Sequence, residues 1–576
     1  MFNRYLQELS NLRDLGAVFS KAHPEKAGML SGHRSDPDVE RLLEGTAFLT
    51  ALLRQRLEDE FPEIIHELVK IIWPHYLRPI PSASIVAFTP KPTIKQTTTI
   101  PSGTQVASVP VEGTSCLFTT CFPVEMHPLS LLEASFVESS GQPPAIKLLL
   151  ELKGPTLSDW QPKSLRFYLG GEKTTSTELY RLFGNDLKEI HITSPDNNRS
   201  LILTPNYLKP VGFASDESLI PYPMHVLPGY RIIQEYFILP EKFLFLDLNG
   251  WERWEDRGDG NRFEIKFIFK KFPRSIPRVK TENFVLSATP VINVFPFDAH
   301  PIRLDHRKTE YRVSPSSNKS THYQVFSVEK VVGFVQGSAR ERMYVPFELF
   351  NPDTRNHPVY HTHVQNSPDG HGFDVYLSVA YSKDSGLPVT ETLSIQLQCT
   401  NGILTEGIRT GDICVPTSSS PEYVDFKNLR PPTSMVLPPL GTNLLWRFLS
   451  HLSLNYVSLA NVQNLQAMLD LYNFEETRDR TSFLANKKRI AGIENITTRV
   501  ADRLVAGVVM RGREIQMDIR KDHFIGHGDL YLFGSILNFF LGSYASINTF
   551  TQLIVKEVLQ GDIYKWETRI GDQPLI

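Results

Sequence analysis

The chain has 576 residues, and its 60 basic against 63 acidic residues give a formal net charge of −3. This near-balance argues against a dedicated nucleic-acid-binding protein, because such proteins usually carry a clear basic excess. Hydrophobic residues make up 41% of the chain and charged residues 21%, which argues against global disorder. Because 41 prolines outnumber 34 glycines and 35 phenylalanines accompany them, we expect many short strands joined by rigid turns.

Residues 1–80 are predicted to form a helical arm of three helices. Apolar residues of the first helix alternate between spacings of three and four, which is typical of a packing seam. The second helix begins at Asp36-Pro37, an N-cap followed by proline at the first helical position, and the third ends before Pro74. Periodicity alone leaves open whether these helices pack against another chain or against the rest of this one. The main seam residues are Phe2, Tyr5, Leu9, Leu12, Phe19, Leu42, Leu49, Leu53, Ile65, Leu68 and Ile72.

The middle of the chain is predicted to be β-rich, with a first region over 81–285 and a second over 286–430. Short apolar or alternating runs lie there between prolines and glycines, which is typical of strands. The proline-rich stretch Ser418–Pro439 predicts a linker. The predicted strands include Ser84–Phe88, Ala145–Leu150, Phe243–Leu246, Phe263–Phe269, Gln324–Val328 and Phe373–Leu377.

Residues 431–576 are predicted to form an α+β domain, which makes the whole chain an α+β multidomain protein. Strands are expected at Val505–Met510 and Glu514–Ile519. Residues 530–555 carry no charge, but eight polar side chains argue against a membrane span and for a helix buried between protein surfaces. Helical spacing relates the apolar residues Leu465, Met468, Leu469 and Tyr472.

The common catalytic motifs are absent: the sequence has no G-x-S-x-G, Walker A, G-x-G-x-x-G or H-E-x-x-H. We therefore predict that the chain is not an enzyme and has no cofactor. The best metal candidates are His357, His361 and His363, with His371 nearby, but neighbouring prolines and glycine predict a loop. A metal-dependent or carbohydrate-active enzyme on β domains is the alternative that these histidines leave open.

The remaining candidate groups favour structural roles. Four cysteines without C-x-x-C spacing make no disulfide framework and fit a reducing cytosol. His523 and His527 share a four-residue spacing, but intervening glycine argues against a rigid metal site. Lys487-Lys488-Arg489 predicts a surface patch. Solvated loop positions are expected for the carboxylates Asp247, Glu252, Glu255 and Asp256.

Several blocks of the sequence, in order over nearly the whole chain, carry a family resemblance. They are Ser35–Gly45, Leu57–Glu63, Pro74–Pro79, Pro228–Arg231, Gln234–Phe237, Pro240–Phe243, Thr289–Phe295, Cys399–Gly402, Trp446-Arg447, Ser450–Tyr456 and Tyr544–Gln552. In these blocks the chain resembles the TssF (ImpG/VasA) family, baseplate subunits of the type VI secretion system.

The resemblance implies a structural wedge component rather than an enzyme. Its implied partners are TssG, with two TssF copies for each TssG, TssK, TssE, the VgrG hub and a second TssF copy. It implies a cytoplasmic position beneath the inner-membrane complex. It implies neither nucleic-acid binding nor membrane insertion. The wedge would help to initiate tail tube and sheath polymerisation and would transmit the contraction trigger. By this resemblance the helical seam joins a core bundle with TssG and the second TssF. A phage-derived tail protein of another contractile machine stays as a further alternative.

Overall fold

The computed structural model divides the chain into two compact units. The first unit comprises residues 1–77 and 439–452, and the second, called the body below, comprises residues 78–438 and 453–576. The structure describes residues 9, 12, 38, 39, 41–50, 69, 74–138, 141–195, 197–222, 227–273, 277–335, 341–347, 358–367, 372–381, 390–440, 461–474, 479–505 and 507–571.

The described residues of the first unit up to residue 77 are helical. Residues 41–50 form a continuous helix, and three of the ten residues are leucine, a good helix former. Leu9, Leu12 and Val69 also have helical conformation, and a 3-10 turn follows at Pro74–Leu77. The rest of the predicted helical arm lies outside the described residues, so the three-helix bundle stays a prediction.

The body alternates short strands with a few helices. In its first part lie β1 (Ala83–Pro90), β2 (Thr98–Ile100), β3 (Gln105–Val111), β4 (Thr114–Thr120), β5 (Val124–Met126), β6 (Leu129–Val137), β7 (Ala145–Leu152), β8 (Leu165–Leu169), α1 (Lys173–Arg181), β9 (Leu187–Ser194), β10 (Asn197–Leu203), β11 (Leu208–Val211), α2 (Pro228–Ile238), β12 (Phe245–Leu248), β13 (Arg262–Phe269), β14 (Phe284–Leu286) and β15 (Ala288–Ile292). In its second part lie β16 (Phe295–Asp298), β17 (Ile302–Leu304), β18 (Tyr311–Val313), β19 (Gln324–Val335), β20 (Glu341–Pro346), β21 (Val359–Asn366), β22 (Phe373–Ala380), β23 (Glu391–Thr400), β24 (Ile413–Pro416), β25 (Val424–Asn428), α3 (Val462–Leu471), α4 (Arg480–Ala491), β26 (Ile493–Val505), β27 (Val508–Ile519), α5 (His527–Gly542), β28 (Phe550–Glu557), β29 (Ile563–Lys565) and β30 (Arg569–Ile570).

A six-stranded antiparallel sheet in the order β24-β3-β4-β15-β1-β25 opens the body. Its strands β4 and β25 alternate buried and more exposed residues, and a buried set that includes Val86, Phe118, Val291 and Phe426 packs as one core. The strands come from both sides of residue 285. The boundary predicted at residue 285 therefore falls between two strands of one sheet. The division into domains stays a prediction.

The predicted linker Ser418–Pro439 is wrong over part of its length. Residues Val424–Asn428 form β25, in which Val424 and Phe426 are buried and Phe426 lies opposite Phe88 of β1. The prolines flank this strand and leave its backbone free to pair. A contact across more than 300 residues of sequence overrides the local linker signal.

Two further antiparallel sheets follow, one in the order β10-β9-β13-β7-β6 and one in the order β11-β12-β8-β14. The strands predicted at Ala145–Leu150 and Phe263–Phe269 are confirmed as parts of β7 and β13, which pair with each other. The strand predicted at Phe243–Leu246 instead begins at Phe245, because Pro240–Phe243 form a 3-10 turn. A short sheet of β2 and β5 lies in the same part of the chain.

An eight-stranded sheet follows the order β16-β23-β19-β20-β21-β22-β18, with β17 also paired to β23. The predicted strands Gln324–Val328 and Phe373–Leu377 are confirmed within β19 and β22. The loop predicted around His361 and His363 is wrong, because both lie in β21, opposite Ser378 and Tyr376 of β22. The prolines at either end of this segment bound the strand without interrupting it.

The C-terminal part combines α3 and α4 with a sheet in the order β26-β27-β28-β29, in which β30 also pairs with β28. Its α+β character is confirmed. The strand predicted at Val505–Met510 is wrong in its bounds, because Gly507, at φ 85°, turns the chain between β26 and β27. The single helix predicted over 530–555 is also wrong: α5 ends at Gly542 and the uncharged segment continues into β28.

Candidate functional site

The helix over residues 41–50 carries large apolar side chains on its exposed side. Leu42 is 71% and Leu49 61% exposed, whereas Ala47 is fully buried and Leu43 is half-buried. Seven residues make nearly two helical turns, so Leu42 and Leu49 lie one above the other on the same face. Two large exposed apolar side chains on one side of a helix make that side a candidate for a contact with another protein. This exposed face, defined by Leu42 and Leu49, is called the helical face below.

The other seam residues divide between the described and the undescribed parts of the chain. Leu9 is buried and Leu12 is half-buried within the single chain. A substitution at Leu9 would therefore disturb the chain's own packing, which a substitution on the helical face would not. Outside the described residues lie Phe2, Tyr5, Phe19, Leu53, Ile65, Leu68 and Ile72.

A buried ion pair joins two of the sequence blocks that carry the family resemblance, Gln234–Phe237 and Pro240–Phe243. Glu235 of α2 and Lys242 are both fully buried and paired with each other. The Lys242 Nζ also donates to the Gly212 carbonyl at 2.7 Å, and the Glu235 carboxylate accepts the Leu219 amide at 2.6 Å. Burial lowers the pKa of Lys242, and the neighbouring Glu235 opposes that shift. Because a lone charge at this depth would be strongly unfavourable, the pair ties α2 to the segments beside it.

The helix α2 also packs against α5 and the residues that follow it. The Tyr230 and Tyr544 hydroxyls hydrogen-bond to each other, and the Tyr230 ring lies 5.7 Å from that of Phe540. A Cβ on Gly229 would lie 2.9 Å from the Phe540 ring, so glycine permits this close approach. Nearly all of α5 is buried, as expected for a uniformly apolar helix. None of the helices among the described residues is long and apolar enough to cross a membrane.

Two buried asparagines join the six-stranded sheet to the eight-stranded sheet. The Asn401 backbone amide donates to Asn293 Oδ1 at 2.7 Å, and Asn293 Nδ2 donates to Asn401 Oδ1 at 2.9 Å. Asn293 Nδ2 also donates to the Leu117 carbonyl, and the Leu117 amide donates to Asn401 Oδ1. Both side chains are fully buried. These two asparagines come from two different blocks of the family resemblance, so the blocks meet as structural joints.

The histidine candidates within the described residues do not gather around a common point. In the described part of the chain, no group of three or more histidine, cysteine, aspartate or glutamate residues could hold a metal ion. His363 Nε2 lies 3.2 Å from Glu310, and its ring stacks on Tyr376. His357 and His371 lie outside the described residues. His523 contacts the Lys488 carbonyl through Nδ1.

The thiols and carboxylates are placed for packing and pairing. Burial raises the pKa of the Cys116 thiol to about 11 and that of Cys399 to about 12, which keeps both thiols protonated and poorly reactive. Asp247 accepts two hydrogen bonds from Arg166, at 2.7 and 2.8 Å. The solvated loop position predicted for Asp247 is therefore wrong: it lies half-buried in β12 and forms a bidentate ion pair, because Arg166 lies opposite it on β8.

The predicted surface patch Lys487-Lys488-Arg489 is wrong at its last position. Arg489 is buried on α4, and its Nε donates to Asp529 of α5 at 2.9 Å. The Asp529 partner lies 40 residues away, so the basic run alone gave no sign of this buried pair. Its role is to connect α4 with α5.

The body is β-rich and is held together by buried ion pairs and by hydrogen-bonded asparagines, and the helical face is apolar and exposed. These features are typical of a structural subunit in a larger assembly. The family model "Type VI secretion system, TssF" matches residues 1–573. The chain belongs to the TssF family.

Known relatives agree with this assignment along the whole chain. The type VI secretion system component TssF1 of Pseudomonas aeruginosa is 28% identical over 620 aligned positions, which cover 99% of this chain and 98% of the relative. A chain of the TssK-TssF-TssG baseplate subcomplex solved by cryo-electron microscopy is 29% identical, with a TM-score of 0.78 over 93% of this chain and 99% of that one. A chain of the type VI secretion system baseplate complex is 25% identical, with a TM-score of 0.62 over the full length of both.

Proposed function

We propose that this chain is a structural subunit of the type VI secretion baseplate and assembles with TssG and TssK. The observation that carries the proposal is the helical face, with Leu42 and Leu49 largely exposed in the single chain. Its support is the end-to-end similarity to a chain solved in a TssK-TssF-TssG subcomplex. In the assembly, the helical face and the other seam residues pack against helices of TssG and of a second copy of this chain.

The finer parts of the proposal follow from the family. Two copies of this chain join each TssG, and the resulting wedge holds TssE and surrounds the VgrG hub. The wedge lies in the cytoplasm beneath the inner-membrane complex, supports the start of tail tube and sheath polymerisation and passes on the contraction trigger. Such a switch fits interfaces of packed helices, because these can hold alternative discrete arrangements.

The body supplies stiffness in this proposal. Its sheets are joined by buried pairs such as Asn293 with Asn401 and Glu235 with Lys242, which restrict relative movement of the segments they connect. The helical arm at 1–80, the β-rich regions at 81–285 and 286–430 and the α+β domain at 431–576 are the corresponding working parts.

Co-purification with TssG tests the proposal. The variant Leu42→Asp with Leu49→Asp is expected to lose TssG, because each substitution places a charge in an apolar contact at a cost of several kcal/mol. Its own thermal midpoint should match the unchanged chain, because both positions are exposed. The control Ile202→Asp, on β10 and 53% exposed, should keep TssG.

Undiminished recovery of TssG by the double variant would count against the helical face as the contact. The pair Leu9→Asp and Leu12→Asp should also lose TssG. Because Leu9 is buried in the single chain, that variant is additionally expected to lower the thermal midpoint.

A further inference from the structure

A small cavity lies where the two-stranded β2–β5 sheet meets β8 and the turn between β14 and β15. Its volume is about 110 Å³, and its lining includes Thr99 of β2, Glu125 of β5, Arg166 of β8 and Ser287 of the turn. Pockets for whole metabolites measure about 300–1,000 Å³, so this cavity is too small for one. At roughly 30 Å³ for each water molecule, it has room for about four waters or one short side chain.

Glu125 places a half-buried carboxylate on the wall of this cavity. Thr99 and Glu125 are cross-strand partners, so their side chains share one face of the β2–β5 sheet. Among the described residues, the Glu125 carboxylate forms no ion pair with a lysine or an arginine, and its nearest basic group is the imidazole of His127, at 3.5 Å. Burial raises the pKa of Glu125, and Asp247 acts in the same direction.

The imidazole of His127 does not neutralise this carboxylate. Trp160 Nε1 donates to His127 Nδ1 at 3.4 Å, so Nδ1 carries no proton. Burial lowers the pKa of His127 to about 4, and the ring is therefore uncharged at neutral pH. The negative charge of Glu125 thus stays without a directly paired cation.

The wider surroundings of the cavity are acidic. The cations that act on Glu125 are Arg166 and Lys163. Arg166 is already engaged, because it donates two hydrogen bonds to Asp247, at 2.7 and 2.8 Å, and its Nη2 lies 4.0 Å from Glu217. Three carboxylates thus face two cations, which leaves one negative charge in excess. A bound cation would cancel this excess, whereas a bound anion would increase it.

The backbone beside Glu125 is held in a strained conformation. Ser287 has φ 54°, a left-handed conformation that disfavours residues other than glycine. Its hydroxyl donates to the Glu125 carbonyl at 3.3 Å, and its own carbonyl accepts the Phe88 amide at 3.0 Å. Strain of this kind is concentrated at sites that hold ligands. These contacts fix the segment that carries the carboxylate before any ligand arrives.

The donors and acceptors select the class of cation. In the described part of the chain, no group of three or more side chains could hold a metal ion, which argues against a divalent metal. Thr99 and Ser164 line the cavity, and their hydroxyls make no hydrogen bond to another described residue. With Glu125 they supply three acceptor groups, which match the three donors of an ammonium better than the five of a guanidinium. Apolar lining residues such as Leu129 and Leu286 suit an alkyl stem.

We propose that this cavity, called the Glu125 cavity below, binds a primary alkyl ammonium group, and that a lysine side chain of a partner subunit supplies it. A side chain is favoured over a free amine, because attachment to a partner that is already bound makes the contact effectively intramolecular. The lysine source rests on the proposed function, which provides the partner, whereas the site itself does not.

Binding of n-butylammonium to the full chain tests the site. This probe carries the stem and the ammonium of a lysine side chain. A ligand-observed NMR titration should show saturable binding with a Kd of about 10 mM. Hydrogen exchange of peptides covering β2 and β5 should slow, because a two-stranded sheet has little stability of its own.

Two probes of the same length serve as controls. The alcohol n-butanol lacks the charge and butyrate reverses it, so neither should bind at the same concentrations. The proposal would be overturned if n-butylammonium showed no saturable binding. It would also be overturned if either control probe bound equally well.

Substitutions place the binding at Glu125. Glu125→Gln keeps the shape of the side chain and removes its charge, so it should weaken n-butylammonium binding at least tenfold. The control Glu133→Gln, exposed on β6 and outside the cavity, should leave the affinity unchanged. Lys163→Gln should tighten binding, because it removes a positive charge that acts on Glu125. Unchanged affinity in Glu125→Gln would contradict the site.

Carbodiimide crosslinking of the complex co-purified with TssG and TssK identifies the source of the ammonium. The reagent joins a carboxylate to an adjacent lysine amine, so we expect a link from Glu125 to a lysine of a partner, and Glu125→Gln should lack it. Binding of n-butylammonium without this link would support the site and overturn the partner lysine as its source. A link from Glu125 to Lys163 alone, without n-butylammonium binding, would overturn both. If the chain binds neither TssG nor TssK, the proposed function is refuted and the n-butylammonium titration alone decides the site.

Discussion

Replacing Lys242 by Met tests whether the buried ion pair beside α2 is a structural joint. The substitution keeps the volume of the side chain but leaves the Glu235 carboxylate buried without its main cation. Arg231 Nη1, at 3.7 Å, is the nearest remaining positive charge among the described residues. Breaking such a pair from one side typically costs about 3–5 kcal/mol. We expect the free energy of unfolding to fall by that amount, measured by urea denaturation with tryptophan fluorescence.

A second substitution separates the charge from the packing. In Glu235→Gln with Lys242→Met no charge is left buried in the pair, and the glutamine oxygen can still accept the Leu219 amide. The double variant should therefore be more stable than Lys242→Met alone by about 1–3 kcal/mol. The control is Lys147→Met, because Lys147 pairs with Glu264 at 2.6 Å with side chains 35% and 26% exposed. Its loss should be below about 1 kcal/mol. The reasoning would be refuted if Lys242→Met and Lys147→Met lost equal stability. It would also be refuted if the double variant were no more stable than Lys242→Met.

Three further predictions concern the body. Gly528→Ala should cost about 1–3 kcal/mol in a denaturation experiment, because a Cβ there would lie 2.3 Å from the backbone of Thr177 on α1; an unchanged midpoint would contradict the contact. Asn293→Ala should cost about 1–3 kcal/mol and speed hydrogen exchange of the Asn401 amide, which it leaves unpaired; unchanged exchange would contradict the joint. Burial lowers the pKa of His127 to about 4, so the unfolded chain binds a proton that the folded chain excludes. Stability should then fall by about 2 kcal/mol between pH 7 and pH 5, and His127→Phe should remove that part of the pH dependence; an identical slope in the variant would be inconsistent with it.

Much of the β structure could be predicted from the sequence, because alternation is a local property. In β13 the apolar Phe263, Ile265 and Phe267 alternate with polar residues, and all three are buried as the pattern predicts. The helical spacing of Leu465, Met468 and Leu469 is likewise confirmed in α3, where all three are buried.

The remaining elements depend on partners distant in sequence. The local sequence of residues 424–428 predicts a linker, and they form a strand because they pair with β1. The local sequence around His361 predicts a loop, and it forms a strand because it pairs with β22. The bounds of β26 and β27 were missed because the turn at Gly507 lies inside an apolar run. A glycine between two alternating segments was the signal that could have shown the hairpin.

The functional surface could be predicted only in part. Helical spacing singled out Leu42 and Leu49, but it could not show that they are exposed in the single chain. The pairing of Glu235 with Lys242 was hidden as well, because one lies on α2 and the other in the following 3-10 turn. No periodic pattern connects residues whose contact depends on how the chain bends between them.

The most direct test of the central claim is native mass spectrometry of this chain co-expressed with TssG and TssK. We predict one complex that contains all three proteins, with two copies of this chain for each TssG. In Leu42→Asp with Leu49→Asp, the same measurement should show this chain without TssG. If the unchanged chain stays free of both partners, the claim that it is a baseplate subunit is contradicted.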